Sequence, residues 1–210
     1  MVVARSTPNY FGWAVLLGLL LLSKRGGKRR PTAAGATWSD EDMRAFVRAV
    51  EGTGVPLDAV LQVYAAESGL DPAASSGAAW GLAQFTEQTL RGLGYRGNGP
   101  TFGTLSVREQ APWIARLLKS QVGYLGYVPA DAVDLYAVNF WPIAAKGRQD
   151  VIVVRDSKVA KERQAYAANA GLDRKKKGWI ARDDLRVRLE MFGKLPALTR
   201  AREQARRLAA

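Results

Sequence analysis

In residues 62–89, which read QVYAAESGLDPAASSGAAWGLAQFTEQT, an apolar helical stripe ends at a glutamate. Val60, Tyr64 and Glu67 recur at i, i+4 and i+7, which is the spacing of one face of an α-helix. Gly69 follows directly and predicts the C-terminal end of that helix. The sequence therefore predicts a lone carboxylate on or beside an apolar helix face, at the point where the helix gives way to a loop rich in Gly, Ala and Ser.

That placement gives Glu67 a possible chemical role. A carboxyl group in apolar surroundings has a raised pKa, because desolvation disfavours its charged form, and it can then donate a proton near neutral pH. The alternative is a structural glutamate that bonds a neighbouring backbone amide. The chain has neither cysteine nor histidine, which excludes disulfides, a Ser-His-Asp triad and most zinc sites.

Helical periodicity continues on both sides of this stretch. Helix starts are predicted at Ser39, Pro56, Thr86, Ser106 with Glu109 in a capping box, and Ser157. Further helices are predicted over 130–139, 182–192 and the tail 196–210, and Val151 to Val154 is the best strand candidate. The predicted class is mostly helical.

The stretch from Glu67 to Thr89 resembles the signature of soluble-type lytic transglycosylases. In that family a Glu-Ser pair is followed by Asp or Asn before Pro, then Ser, then Gly-Ala-x-Gly-Leu-Met-Gln and a later Thr. The matching residues here are Glu67-Ser68, Asp71-Pro72, Ser76, Ala78 to Gln84, and Thr89. Ala78 and Ala83 stand where Gly and Met are usual, and neither change removes a reactive group.

A second, weaker motif supports the resemblance. LYAVNFWP at residues 135–142 stands where the family has a Tyr-Asn-Ala-Gly-like motif, and it is similar to the variant of phage-encoded members. Asn139 matches the family Asn, Val138 replaces the Tyr before it, and Tyr136 could supply the phenol. In all, the resemblance spans roughly residues 38–192.

The resemblance implies an α+β lysozyme-like fold, predominantly α-helical, and an enzyme that acts on peptidoglycan without a cofactor. Glu67 would be the single catalytic residue, cleaving the bond between N-acetylmuramic acid and N-acetylglucosamine and leaving a 1,6-anhydromuramyl end. The implied substrate-binding residues are Ser68, Ser76, Trp80, Gly81, Gln84, Tyr136 and Asn139.

Residues 173–184 resemble a calcium-binding loop that has lost its ligands. Asp173, Gly178 and Asp184 fall at loop positions 1, 6 and 12, but Lys175 and Lys177 occupy positions 3 and 5, where oxygen ligands are needed. Because ammonium groups repel a cation, we predict a helix–loop–helix packing unit and no metal site.

Charge is unevenly spread along the chain. Of the net +12, residues 1–31 carry +6, residues 32–150 carry −3 and residues 151–210 carry +9.

Residues 10–22 are thirteen uncharged residues, which cover about 20 Å of a membrane core about 30 Å thick. We predict a membrane-anchor helix at 1–23 (a cleaved signal peptide and a helix buried against a partner are the alternatives), a basic linker at 24–37, a catalytic domain at 38–193 and a basic helical tail at 194–210.

The expected partners are peptidoglycan glycan strands, a membrane through the N-terminal helix, virion proteins, and nucleic acid by non-specific contact with the basic tails. Five cations follow the apolar run and favour a cytoplasmic orientation of the enzymatic domain. A phage particle with an internal membrane, or an ejected protein, would reconcile that orientation with a wall substrate; the bacterial cell envelope is the other location. Other functions left open are a true muramidase, a non-catalytic virion structural or glycan-binding protein, and a DNA-binding or packaging protein.

Overall fold

The computed structural model describes residues 38–209. The anchor predicted at 1–23 and the linker predicted at 24–37 therefore lie outside the described residues. The helices are α1 Asp40–Glu51, α2 Leu57–Ser68, α3 Glu87–Gly92, α4 Gly99–Phe102, α5 Val107–Leu125, α6 Ala132–Phe140, α7 Pro142–Lys146, α8 Ala160–Asn169, α9 Arg182–Gly193 and α10 Pro196–Ala209. The strands are β1 Ala79–Trp80, β2 Phe85–Thr86, β3 Val151–Val154 and β4 Trp179–Ala181, so the predicted mostly helical class is confirmed.

Helix α2 is the centre of the structure. It packs against α1, α6, α9 and α10, and from Ala59 to Ser68 every residue except Gln62 is buried. Between Asp58 and Glu67 it has no charged residue, which is the composition of a helix enclosed on all sides. The end of this central helix is where Glu67 lies.

The capping residues predicted from sequence act as expected. The Ser39 hydroxyl accepts a hydrogen bond from the Asp42 amide at 3.0 Å, and Thr86 caps α3 in the same way. Ser106 and Glu109 form the predicted capping box at the start of α5. Gly69 ends α2 in the left-handed conformation with φ of 66°, which a glycine adopts without steric cost.

The prediction that Ser157 caps a helix is wrong. Helix α8 begins three residues later, at Ala160, and its N-cap residue, Val159, has no side-chain cap. The Ser157 hydroxyl instead donates to Glu162 at 2.6 Å and accepts from the Val159 amide. These contacts form a turn before the helix, a common alternative use of a serine side chain.

Two small antiparallel sheets complete the fold. In the first, Ala79 pairs with Thr86 and Trp80 with Phe85, which closes a hairpin between α2 and α3. In the second, β3 pairs with β4, so the predicted strand at Val151–Val154 is confirmed. The first sheet is the one that adjoins Glu67 in the sequence.

The C-terminal helix α10 packs its apolar face on α1 and α2. Ala197, Leu198, Ala201 and Ala205 are buried there, while Arg202 pairs with Asp58 and Arg207 with Asp40. The helix predicted for the tail is therefore present as an amphipathic helix. Among residues 38–209, no helix has both the length and the apolar character needed to cross a bilayer.

Candidate functional site

The candidate site is centred on Glu67, in the last turn of α2. Its side chain is only 8% exposed, and both carboxylate oxygens are buried without a hydrogen-bond partner. Buried polar groups in proteins are nearly always hydrogen-bonded, so an exception calls for an explanation. The structural alternative, in which Glu67 bonds a backbone amide, is not what the described residues show.

Burial has a large effect on the ionisation of this carboxyl group. It raises the pKa of Glu67 from its ordinary value of 4.5 to about 7, while the positive charge of Arg188 and the hydroxyl of Tyr136 act to lower it. The Tyr136 hydroxyl approaches the carboxyl group but falls short of a full hydrogen bond. Burial therefore favours the protonated form of Glu67 at pH values where an exposed glutamate is ionised.

Two buried tyrosines flank Glu67. Tyr64 lies one turn earlier on α2, and its hydroxyl is buried without a partner. Tyr136 belongs to α6, which packs against α2. Burial raises the pKa of both phenols, and the charge of Glu67 raises it further, so both stay neutral and able to donate a hydrogen bond. The structure therefore brings Tyr136, a predicted site residue, next to Glu67.

Arg188 is a charged neighbour of Glu67 that the sequence analysis missed. It lies on α9, which packs against both α2 and α6, and its charge acts on Glu67 and on Tyr136. A signal for it was present in the sequence. The i, i+3, i+4, i+7 pattern of an apolar helix face is formed by Leu185, Arg188, Leu189 and Phe192. Arg188 is therefore a charged residue within an apolar stripe, as Glu67 is on α2.

The hairpin after α2 carries three of the predicted substrate-binding residues: Trp80, Gly81 and Gln84. Gly81 has φ of 76°, and a β-carbon there would lie 2.5 Å from Oε1 of Gln110. Gln84 is buried with φ of 49°, an unusual conformation for a residue with a side chain. Its amide nitrogen donates to the carbonyls of Gly81 at 2.9 Å and Ala74 at 3.3 Å, so this side chain holds the hairpin loop in shape.

A fully buried glutamine fastens the same loop to α5. Gln110 accepts a hydrogen bond from the Leu82 amide at 2.9 Å. Its amide group donates to the carbonyls of Pro72 and Leu105 at 2.8 and 2.9 Å. Gln110 could not be identified from the sequence, because two of its three contacts join positions 28 and 38 residues apart in the chain.

Trp80 lies half-buried between the hairpin and the glycine-rich loop that contains α4. A β-carbon on Gly99 would lie 2.0 Å from the indole ring, and one on Gly103 would lie 3.2 Å from it. The glycines therefore leave space for the ring to lie directly on the backbone. This arrangement fixes the aromatic ring at the edge of the hairpin.

Of the predicted serines, Ser68 is buried and donates to the Tyr64 carbonyl at 3.0 Å. The hydroxyl of Ser76 accepts from the Ala79 amide at 3.2 Å, at the base of the hairpin. Because the Glu67 oxygens have no hydrogen-bond partner, neither serine bonds the carboxylate in this conformation.

Asn139 lies one turn after Tyr136 on α6 and is buried. Its Oδ1 accepts a hydrogen bond from Nε2 of Gln121 on α5 at 2.5 Å. The Oε1 of Gln121 is buried without a partner. The two amides thus form a second polar pair within the core, and the sequence analysis identified Asn139 but not Gln121.

In the loop at residues 173–184, which was predicted to lack calcium ligands, both aspartates form hydrogen bonds or ion pairs with other groups of the protein. Asp173 accepts hydrogen bonds from the Lys177 and Gly178 amides and from the Tyr166 hydroxyl, at 2.9, 2.7 and 2.8 Å. The ammonium group of Lys177 lies 2.8 Å from Asp184. Within the part of the chain that the structure describes, no group of three or more carboxylates could hold a metal ion.

Comparison of the chain with family models, with curated proteins and with solved structures finds no match in any of the three. The functional argument therefore rests on the residues themselves. They offer one buried acid of near-neutral pKa, two neutral phenols, one guanidinium and an adjoining glycine-bearing hairpin. That set can perform general acid and base chemistry without a metal.

Proposed function

We propose that the chain is a lytic transglycosylase of lysozyme-like fold, which cleaves the β-1,4 bond between N-acetylmuramic acid and N-acetylglucosamine in peptidoglycan. The observation that carries the proposal is the environment of Glu67: a buried carboxyl group with a pKa of about 7 at the end of a helix, followed by a hairpin. A carboxylic acid held protonated by an apolar site is the usual proton donor in glycoside cleavage.

In the mechanism that the resemblance implies, Glu67 first protonates the glycosidic oxygen, and the bond from that oxygen to C1 of the muramyl residue breaks. The ionised carboxylate then takes the proton from the muramyl C6 hydroxyl, whose oxygen attacks C1. A 1,6-anhydro ring forms, no water is consumed, and Glu67 returns to its protonated form. One carboxyl group serves both steps, so its pKa should lie near the working pH.

The surroundings of Glu67 suit these steps. Tyr136 is neutral, because burial raises the pKa of its phenol, and it can donate a hydrogen bond to the carboxylate that forms after the first step. In the hairpin, the space beside Gly81 is filled by Gln110, whereas the half-buried Trp80 offers an aromatic surface for stacking.

The described conformation is closed, because both Glu67 oxygens are inaccessible to solvent. A glycan can reach the carboxyl group only after neighbouring groups move. Tyr136 is held in the core at 2% exposure, whereas α9 carries the half-buried Arg188 and exposes Val187 and Met191. We propose that the opening is a movement of α9, in which the core contacts of Leu185 and Leu189 would have to loosen.

The proposed cellular setting is based on the sequence alone. We propose a membrane-associated protein of a phage virion that opens the wall locally during genome delivery, with the bacterial cell envelope as the other location. The apolar segment at 10–22 would contact the membrane, and the basic segments could touch anionic lipid or nucleic acid without sequence preference.

The test is mass spectrometry of sacculi digested by the purified full-length chain. We expect anhydromuropeptides from the parent and from Glu190→Gln, a matched control that neutralises an exposed glutamate on α9. Glu67→Gln should give none, because its side chain cannot donate a proton to a leaving oxygen.

Other products would support other functions. Reducing-end muropeptides would mean that water replaces the C6 hydroxyl, as in a true muramidase. If a folded parent releases no soluble product, the chain is a non-catalytic virion structural or glycan-binding protein. Tight, strongly salt-dependent DNA binding in that case would favour a packaging role.

A further inference from the structure

Arg188 and Glu67 are oppositely charged groups on helices that pack against each other, and both have buried polar atoms without a hydrogen-bond partner. In Glu67 these atoms are the two carboxylate oxygens, and in Arg188 the atom is Nε. Leaving such atoms unsatisfied costs free energy. Two unsatisfied groups of opposite charge on helices that pack against each other are a feature that packing alone does not explain.

Among the described carboxylates, Glu67 is the one whose charge acts on Arg188. Its guanidinium lies 5.3 Å from the centre of the Phe192 ring on the same helix. Asp184, one turn earlier, is bonded to Lys177 and to the Ala181 amide. Glu190 is exposed to solvent.

Tyr136 completes the cluster from a third helix. Its hydroxyl interacts with both Glu67 and Arg188, so α2, α6 and α9 each contribute one polar side chain. Arg188 also lines a cavity of about 310 Å³ together with Leu172, Asp184 and Phe192. The Arg188 side chain therefore also borders space outside the α2–α9 contact.

We infer that Arg188 is a positioning residue for Glu67, which acts with Tyr136 on the carboxylate and stabilises its ionised form after proton donation. This role rests on the proposed function, because only a glutamate that alternates between acid and base needs such support. Without a positive charge nearby, a fully desolvated carboxyl group would be a weaker acid, because its ionised form after proton donation would be less stable.

The ionisable groups that face Glu67 are few. They are Tyr64 from its own helix, Tyr136 from α6 and Arg188 from α9. The elements α1 and α10 also pack on α2, but the α10 cation that pairs with α2, Arg202, is bonded to Asp58 at the opposite end of the helix. Arg188 is thus the cation that acts on Glu67 among these described neighbours.

The first measurement is an NMR titration of the full-length chain with ¹³C-labelled glutamate carboxyls. The chain has eight glutamates, and Glu67→Gln assigns the resonance of Glu67. We expect the pKa of Glu67 to rise above its parent value in Arg188→Met and Arg188→Gln, and to stay close to the parent value in Arg188→Lys. Arg186→Gln, which removes an exposed cation of the same helix, should leave it unchanged.

Arg188→Met is included because the methionine side chain is apolar, similar in length to arginine and suited to contact with Phe192. This variant is therefore expected to fold even if Arg188→Gln does not. A folded neutral variant in which Glu67 titrates as in the parent would overturn the inference. An equal shift in the lysine and methionine variants would also overturn it, since the effect would then come from packing and not from charge.

The second measurement is the pH profile of kcat/KM for wall cleavage. We expect the alkaline limb, which reports the proton donor in the free enzyme, to move upward in Arg188→Met and to stay in place in Arg188→Lys. Each pH unit by which the alkaline limb moves changes the ratio of kcat/KM at pH 8 to kcat/KM at pH 6 by up to about tenfold. If the parent makes no muropeptides, the proposed function fails, while the NMR titration still decides whether Arg188 controls Glu67.

Discussion

The Oε1 atom of Gln110 lies 2.5 Å from the position that a β-carbon would occupy on Gly81. Gln110 can come this close because Gly81 has no side chain, and it uses the space to accept a hydrogen bond from the next amide, that of Leu82. The contact joins the hairpin that follows Glu67 in the chain to α5, and Gln110 is therefore one of the residues that fix this loop to the rest of the fold.

Gln110→Ala is expected to lower the free energy of unfolding by about 3 kcal/mol. The change removes three hydrogen bonds and leaves one amide and two carbonyl groups unsatisfied in the interior. Urea denaturation followed by circular dichroism measures the effect. Gln164→Ala, at an exposed position of α8, is the control and should change it by less than about 0.5 kcal/mol; equal effects would contradict the role given to Gln110.

Two glycine-to-alanine changes should have opposite effects. Gly99→Ala would place a β-carbon 2.0 Å from the Trp80 ring, and we expect it to displace the indole and to destabilise the fold by about 1–3 kcal/mol. Gly123→Ala, inside α5 with open space around the new atom, should stabilise the fold by about 0.5–1 kcal/mol. Thermal unfolding and near-ultraviolet circular dichroism measure both, and a Gly99→Ala variant with parent spectra would show that Trp80 does not lie on this glycine.

Glu67→Gln should become more stable relative to the parent as the pH rises. Burial raises the pKa of Glu67 from 4.5 to about 7, so between these values the folded parent binds more protons than the unfolded chain, and its stability falls as pH increases. The glutamine variant lacks this loss, which reaches at most about 3 kcal/mol above pH 7.

Urea unfolding of both chains at pH 4.5, 6 and 8 tests this. The unsatisfied amide of the variant adds an offset that does not depend on pH, so the informative quantity is the change in the difference between the two chains. A difference that stays constant from pH 4.5 to 8 would mean that Glu67 titrates in the folded chain as it does in the unfolded one.

Fixing α9 to α2 should block wall cleavage. A β-carbon on Gly193 would lie 3.8 Å from the side-chain amide nitrogen of Gln62. Cysteines at these two positions can therefore be joined by a short bifunctional thiol reagent. The chain has no other cysteine. We expect the crosslinked chain to lose at least about tenfold in activity, because the proposed movement of α9 could then not uncover the Glu67 oxygens and the reacting groups could not meet.

Each single-cysteine variant, treated with the same reagent, is the control and should keep its activity. Full activity in the crosslinked chain would show that the glycan reaches Glu67 without movement of α9, for example by rotation of the Arg188 side chain alone.

Much of the local structure could be predicted from the sequence. Ser39, Gly69, Thr86 and the Ser106–Glu109 pair mark helix ends correctly, because each cap bonds a backbone group within four residues in the chain. Ser157 shows the limit of this argument. Its hydroxyl has two possible local partners, and it bonds Glu162 and the Val159 amide at a turn ahead of the helix.

By itself, the sequence determined that the described chain is mostly helical and that a lone glutamate ends an apolar helix beside a glycine-bearing loop. It also pointed to Tyr136 and Asn139 as residues to examine. Only the tertiary structure decided that α2 is enclosed by four helices, that both Glu67 oxygens are buried, and that the charge of Arg188 acts on Glu67. The reason is physical: desolvation and charge pairing depend on which helices pack together, and those contacts join residues far apart in the chain.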